Sequence, residues 1–189
     1  MPTKGEAKMS SDQRLFSITH WLLKAATVLC VLLMGLLAVV LGGILLTAVG
    51  LLHFDLPVND MPTGMQNFPA HQLLLVAAFA LLIILVCLAL VALMFVMAMR
   101  IVETTKAGNP FVIENAVRLA QIGWLLVAVQ VVGFIANLMI SFLPEKVSEH
   151  VSVGFDFSPV GVLAVLMIFV LAQIFRHGAE MRAELEGMV

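Results

Sequence analysis

The sequence predicts an all-α membrane protein, a four-transmembrane-helix bundle with both termini in the cytoplasm and a small helical cap on the cytoplasmic side. Three observations lead there. Of the 189 residues, 62% are hydrophobic and 12% charged, with a mean hydropathy of +1.10, a composition that soluble domains do not show. The apolar residues gather in four blocks, 25–52, 73–99, 122–143 and 160–175. Each block is near or above the roughly 20 residues that an α-helix needs to cross about 30 Å of hydrocarbon. Finally, the basic residues are lopsided. Lys4, Lys8, Arg14, Lys24, Arg100, Lys106, Arg118, Arg176 and Arg182 fall on one side of the resulting topology, and Lys146 alone on the other. The positive-inside rule then places both termini and the central loop in the cytoplasm. A membrane barrel is disfavoured because no block alternates polar with apolar residues.

Along the chain, residues 1–20 read as an N-terminal tail and interfacial helix, with 1–9 disordered and Ser10 with Gln13 as a capping box. Residues 21–53 form the first span, with Trp21 at headgroup level. Its apolar run is too long for a signal peptide, so it is a retained anchor. An outer loop at 54–70 holds three prolines and a glycine, and 71–100 is the second span. A cytoplasmic helical hairpin occupies 101–119, the third span 120–143, a second outer loop 144–158, the fourth span 159–175, and a helical tail 176–189. Within the second outer loop, Val151, Val153, Phe155 and Phe157 alternate, as a short strand or an extended edge lying on the membrane. The whole is a single membrane domain. Cys30 and Cys87 sit at different depths of their helices and read as buried small apolar residues.

The hairpin, KAGNPFVIENAVRLAQIGW, holds the densest set of polar and turn-forming residues. Gly108 supplies the left-handed residue that ends a helix. Asn109 then caps the next helix, and Pro110 takes its first position, where no donor is missed. From there a helix is expected to run without a break to Leu143. On its first turns Glu114, Arg118 and Gln121 make a polar stripe, and Val112, Ala116, Leu119 and Gly123 an apolar one. The tail mirrors this, with Ile174, Gly178, Met181, Leu185 and Met188 as an apolar side and Arg176, Glu180 and Glu184 opposite. The two apolar sides would bury each other as the cap. Phe111 and Asn115 have no evident local task, so Phe111, Glu114, Asn115 and Arg118 form a candidate docking surface for a soluble partner or an anionic headgroup.

Two further sets stand out. Gln130 and Asn137, with Gly133 and Ser141 close to the same line, mark one face of the third helix, Gln130 near the bilayer midplane. They would be either a polar site for a headgroup, ion or small amphiphile, or interhelical glue. Gly35, Gly42 and Gly43 make a groove on the first helix for close packing, against its own bundle or against a second copy in a homo-oligomer. On the outer side His53, His71, His150 and five carboxylates lack fixed metal-ligand spacing, so no metal site is assigned. No phosphate-binding glycine motif, no Cys-x-x-Cys, no His-Glu-x-x-His and no activated nucleophile is present. The expectation is a non-enzymatic protein without catalytic residues or cofactor. Nine cytoplasmic Lys and Arg against seven acids make direct nucleic-acid binding unexpected.

The segments GNPFVIENAVRLAQIGW and VLAQIFRHGAEMRAELEGMV resemble the bacterial membrane family known as domain of unknown function 2975. The similarity extends over the second to fourth spans, about 73–189. It implies a four-helix, multi-pass protein of the bacterial inner membrane with the hairpin inside. Members are often encoded beside a small helix-turn-helix regulator, which implies a membrane protein that senses a signal or sequesters that DNA-binding partner. The alternatives kept open are the handling of a lipid or small amphiphile at the Gln130 stripe and a structural subunit of a larger membrane complex.

Overall fold

The computed structural model describes residues 4–51, 69–141 and 158–187. Among these residues there are four helices and no strand: α1 (Lys4–Ala48), α2 (Ala70–Lys106), α3 (Ile113–Ser141) and α4 (Pro159–Glu186). All four are long and apolar enough to cross a bilayer, as the composition predicts, so the chain is a multi-pass membrane protein. The alternating Val151–Phe157 stretch and the outer-side candidates, His71 apart, lie outside the described residues.

Helix boundaries differ from expectation at three points. α1 begins at Lys4, so residues 4–9 are helical, and Ser10 and Gln13 lie inside the helix instead of capping it. Apart from Gly5, next to the helix end, residues 4–9 are Lys, Glu, Ala and Met, which are helix formers that continue into the helix that follows. At the other end α1 stops at Ala48, short of the end of its apolar run. Gly50 adopts φ 78°. Its amide donates to the Thr47 carbonyl at 3.0 Å and the Leu51 amide to the Leu46 carbonyl at 2.9 Å. This bond pair is a Schellman cap, which satisfies carbonyls left open at a helix end. α3 begins at Ile113, three residues later than Pro110. Residues 109–112 cross from one helix to the next in a non-helical segment, and Asn109 does not cap α3.

By contacts the chain divides into two compact units. One comprises Met1–Val31, Val91–Val127 and Val160–Val189, and thus holds the Gly108 turn with the adjoining parts of α2, α3 and α4. The other comprises Leu32–Leu90 and Ala128–Pro159. Its core is Ile83, Cys87 and Ala136, with Val132 packed on them. Both cysteines are buried and free, as expected of small apolar residues. Large apolar side chains are mostly exposed, among them Leu36, Val39, Phe134 and Leu166. Small residues such as Ala78, Ala116, Ala136, Ala172 and Ala179 are buried. That inversion suits a helix set solvated by lipid, where a Leu gains little by leaving the acyl chains and close backbone approach supplies the packing.

Candidate functional site

The first unit carries the structured polar centre. α2 ends in the same cap as α1: Gly108 stands at φ 82°. Its amide donates to Thr105 at 3.1 Å, and the Asn109 amide to Thr104 at 3.2 Å. The left-handed residue predicted at Gly108 is therefore present.

Asn115 follows in the first turn of α3, and it is fully buried, at 0% exposure. Its Nδ2 donates to the Pro110 carbonyl at 3.0 Å. Its Oδ1 accepts from the Thr104 hydroxyl at 2.9 Å and from Arg118 Nη1 at 2.9 Å. Arg118 Nη1 also reaches the Arg100 carbonyl at 3.4 Å. One amide thus ties the end of α2, the crossing segment and the start of α3 together. The expectation that Asn115 forms part of an exposed docking surface is overturned. A buried primary amide must find partners for both its ends, and here all of them are within the hairpin. Arg118 likewise turns inward, away from Glu114, its i−4 neighbour. Glu114 is exposed and makes no hydrogen bond or ion pair among the described residues.

Phe111 has a local task as well. Its ring lies 5.3 Å from that of Phe175 on α4, tilted by 41°. A Cβ added at Gly178 would come within 2.7 Å of its Cδ1, so this contact needs a glycine. One turn pair further along α3, Gly123 faces Phe169 at 3.0 Å from an added Cβ. Trp124 meets the same ring edge-on, with centroids 5.7 Å apart. The apolar stripe expected on α3 is observed, Ala116 and Gly123 being buried. The one expected on the tail is not: Ile174, Met181 and Leu185 are 57%, 60% and 64% exposed. The buried line on α4 is Val165, Ala172 and Ala179, at intervals of seven. Gly178 belongs with this packed side through its contact with Phe111.

Two open grooves flank the knot. The larger, about 510 Å³, is lined from the turn by Asn109, Phe111, Val112, Ile113 and Glu114 and from α4 by Ala179, Glu180, Arg182 and Ala183. Glu180 in its wall pairs with His177 at 3.7 Å. The smaller, about 270 Å³, lies at Met97 and Arg100 of α2 and at Val117, Arg118 and Gln121 of α3. Ile113 and Glu114 line both. Neither groove holds a buried carboxylate pair, a metal-binding set or a nucleophile with a base. What they offer is recognition: half-exposed Phe111, exposed carboxylates and three guanidinium groups, Arg182 on the larger groove and Arg100 and Arg118 on the smaller.

The remaining candidates separate. In the second unit Gln130 Oε1 is buried without a hydrogen-bond partner. Asn137 is half-buried, whereas Ser141 is exposed and donates to the Asn137 carbonyl at 2.9 Å, within its own helix. Ser141 therefore does not share the setting of Gln130. Gly133 is buried, but at Gly35, Gly42 and Gly43 an added Cβ meets no heavy atom within 4 Å. Among the described residues, close packing of those three is thus not seen. Sequence reasoning missed Thr104, Phe175, Gly178 as a ring contact, and Arg100 as a groove residue. The available signals were the hydroxyl eleven residues before Asn115 and a glycine placed inside a helix.

A family model described as a protein of unknown function (DUF2975) matches residues 56–189. No curated protein and no solved structure matches the chain.

Proposed function

The chain belongs to the DUF2975 family, and on that premise we propose that it is a non-enzymatic protein of the bacterial inner membrane that holds a soluble regulator at its Gly108 turn. The lopsided basic residues support a cytoplasmic setting for that turn and both termini. The resemblance to a family whose members stand beside helix-turn-helix regulators supplies the class of partner. The observation that carries the reading is the larger groove. Phe111 presents an aromatic edge, and exposed Glu114 and Glu180 present carboxylates, on a frame that Asn115 fixes from behind. Such a surface suits a basic helix with an apolar anchor, held by a buried ring contact and a charged rim. Docking there would keep the regulator from DNA, and a change in the membrane would release it.

Glu114→Arg tests this without disturbing the hairpin, since Glu114 has no partner of its own among the described residues. Gently solubilised wild type should retain a DNA-binding protein that the variant loses. Equal retention by both would remove the groove from consideration.

A second reading has its own observation. The orphaned Oε1 of Gln130 is a buried acceptor awaiting a donor, which a hydroxylated or amino-bearing amphiphile would supply. In that case Gln130→Leu abolishes function with insertion intact. A Gln130→Leu protein that works normally confines the residue to helix packing.

A further inference from the structure

The smaller groove joins features that neither helix has alone. Arg100 is exposed, and its guanidinium makes no hydrogen bond or ion pair among the described residues. Arg118 stands across from it, lined up by Asn115. The bonds described engage its Nη1 alone, whereas a guanidinium carries five donors. Gln121, one turn on, is exposed and adds an amide donor. Met97 and Val117 give the same groove an apolar wall.

Its depth is set by the helices. α2 has 37 residues, or about 55 Å at 1.5 Å per residue, well over the roughly 30 Å of hydrocarbon. Its last turns therefore stand at or beyond the headgroups. Trp124, 66% exposed, lies six residues inward of Arg118, about 9 Å along α3, and indole rings settle at the membrane–water boundary. Arg100, Arg118 and Gln121 thus stand at the level of lipid phosphates, with Met97 and Val117 beside the upper acyl chains.

We propose that this groove seats the headgroup of an anionic phospholipid, its phosphodiester between Arg100 and Arg118. Two guanidinium groups and the carboxylate of Glu114 leave the groove one positive charge, which one phosphodiester neutralises. The net charge of +1 favours a head of net charge −1 over a zwitterionic one such as choline, and Glu114 can accept from the hydroxyls of a glycerol head. The two grooves share Ile113 and Glu114, and Arg100, which does not line the larger one, tells lipid recognition apart from recognition of the soluble partner.

The test is native mass spectrometry of the delipidated full chain titrated with dioleoyl phosphatidylglycerol, with dioleoyl phosphatidylcholine, and with acyl-free glycerophosphoglycerol. One phosphatidylglycerol should be retained about tenfold more tightly than phosphatidylcholine, the scale of one charged hydrogen-bonding contact. Arg100→Gln should remove that preference and Lys106→Gln, outside the groove, should keep it. Circular dichroism of Arg100→Gln should match wild type, since the side chain it alters holds no other residue. Equal phosphatidylglycerol retention by wild type and Arg100→Gln overturns the site. An equal loss in Lys106→Gln reduces it to general surface charge. Binding of the acyl-free headgroup as tightly as the lipid overturns the lipid assignment in favour of a soluble phosphodiester.

Discussion

Asn115 is a buried polar residue that makes three side-chain hydrogen bonds, all of them within its own hairpin. Replacing it with alanine would take away the partner of the Pro110 carbonyl, one of the two partners of Arg118 Nη1 and one acceptor of the Thr104 hydroxyl. The expected cost is about 2–4 kcal/mol, from two or three lost bonds and the groups they strand. Thermal unfolding in detergent of Asn115→Ala beside wild type measures it, and an unchanged midpoint would show that water or lipid replaces the amide freely. The residue also shows where sequence reading stops. Gly108 was legible because a left-handed cap is a local property of three or four residues. The burial of Asn115 was not, because it depends on Thr104 facing it from another helix, and no periodicity within α3 encodes that facing.

Between elements, α4 meets the hairpin through a ring and a missing side chain. Phe111 occupies the space where a Gly178 Cβ would be. Gly178→Ala should destabilise the chain by about 1–3 kcal/mol through overpacking. In a Phe111→Ala background the same change should be neutral or favourable, since alanine is the better helix former by about 1 kcal/mol. A double-mutant cycle read by thermal unfolding decides it: equal costs in both backgrounds would mean that the ring and the glycine are not coupled. The tail of α4 was misread for a physical reason. Large apolar residues mark a core when water is the solvent, and by that rule Ile174, Met181 and Leu185 would be buried, whereas all three are exposed. In lipid the burial signal passes to small residues, and Val165, Ala172 and Ala179 carry it at sevenfold spacing. The stripe of α3 was read correctly because its small residues, Ala116 and Gly123, coincide with its apolar face. The open sites at Gly35, Gly42 and Gly43 show the limit of that rule, for small residues permit close approach without supplying the neighbour.

At the scale of the whole molecule, four membrane-length helices were legible because length and hydropathy are sums over many residues and tolerate local errors. Orientation rests on the same kind of sum, nine basic residues against Lys146. With Cys30 and Cys87 replaced by alanine, Ala107→Cys should resist a membrane-impermeant maleimide in intact cells and react after permeabilisation. Thr63→Cys should react in both. The reverse pattern would invert the topology and with it the proposed partner side. The two Schellman caps and the Asn115 knot have a consequence for the making of the protein. Each cap closes with bonds spanning five residues or fewer, and the knot joins residues at most eighteen apart. Such contacts need little chain to be complete before they form. α2 and α3 are thus equipped to leave the ribosome as one sealed hairpin and to enter the bilayer together, their reversal set before α4 has been synthesised.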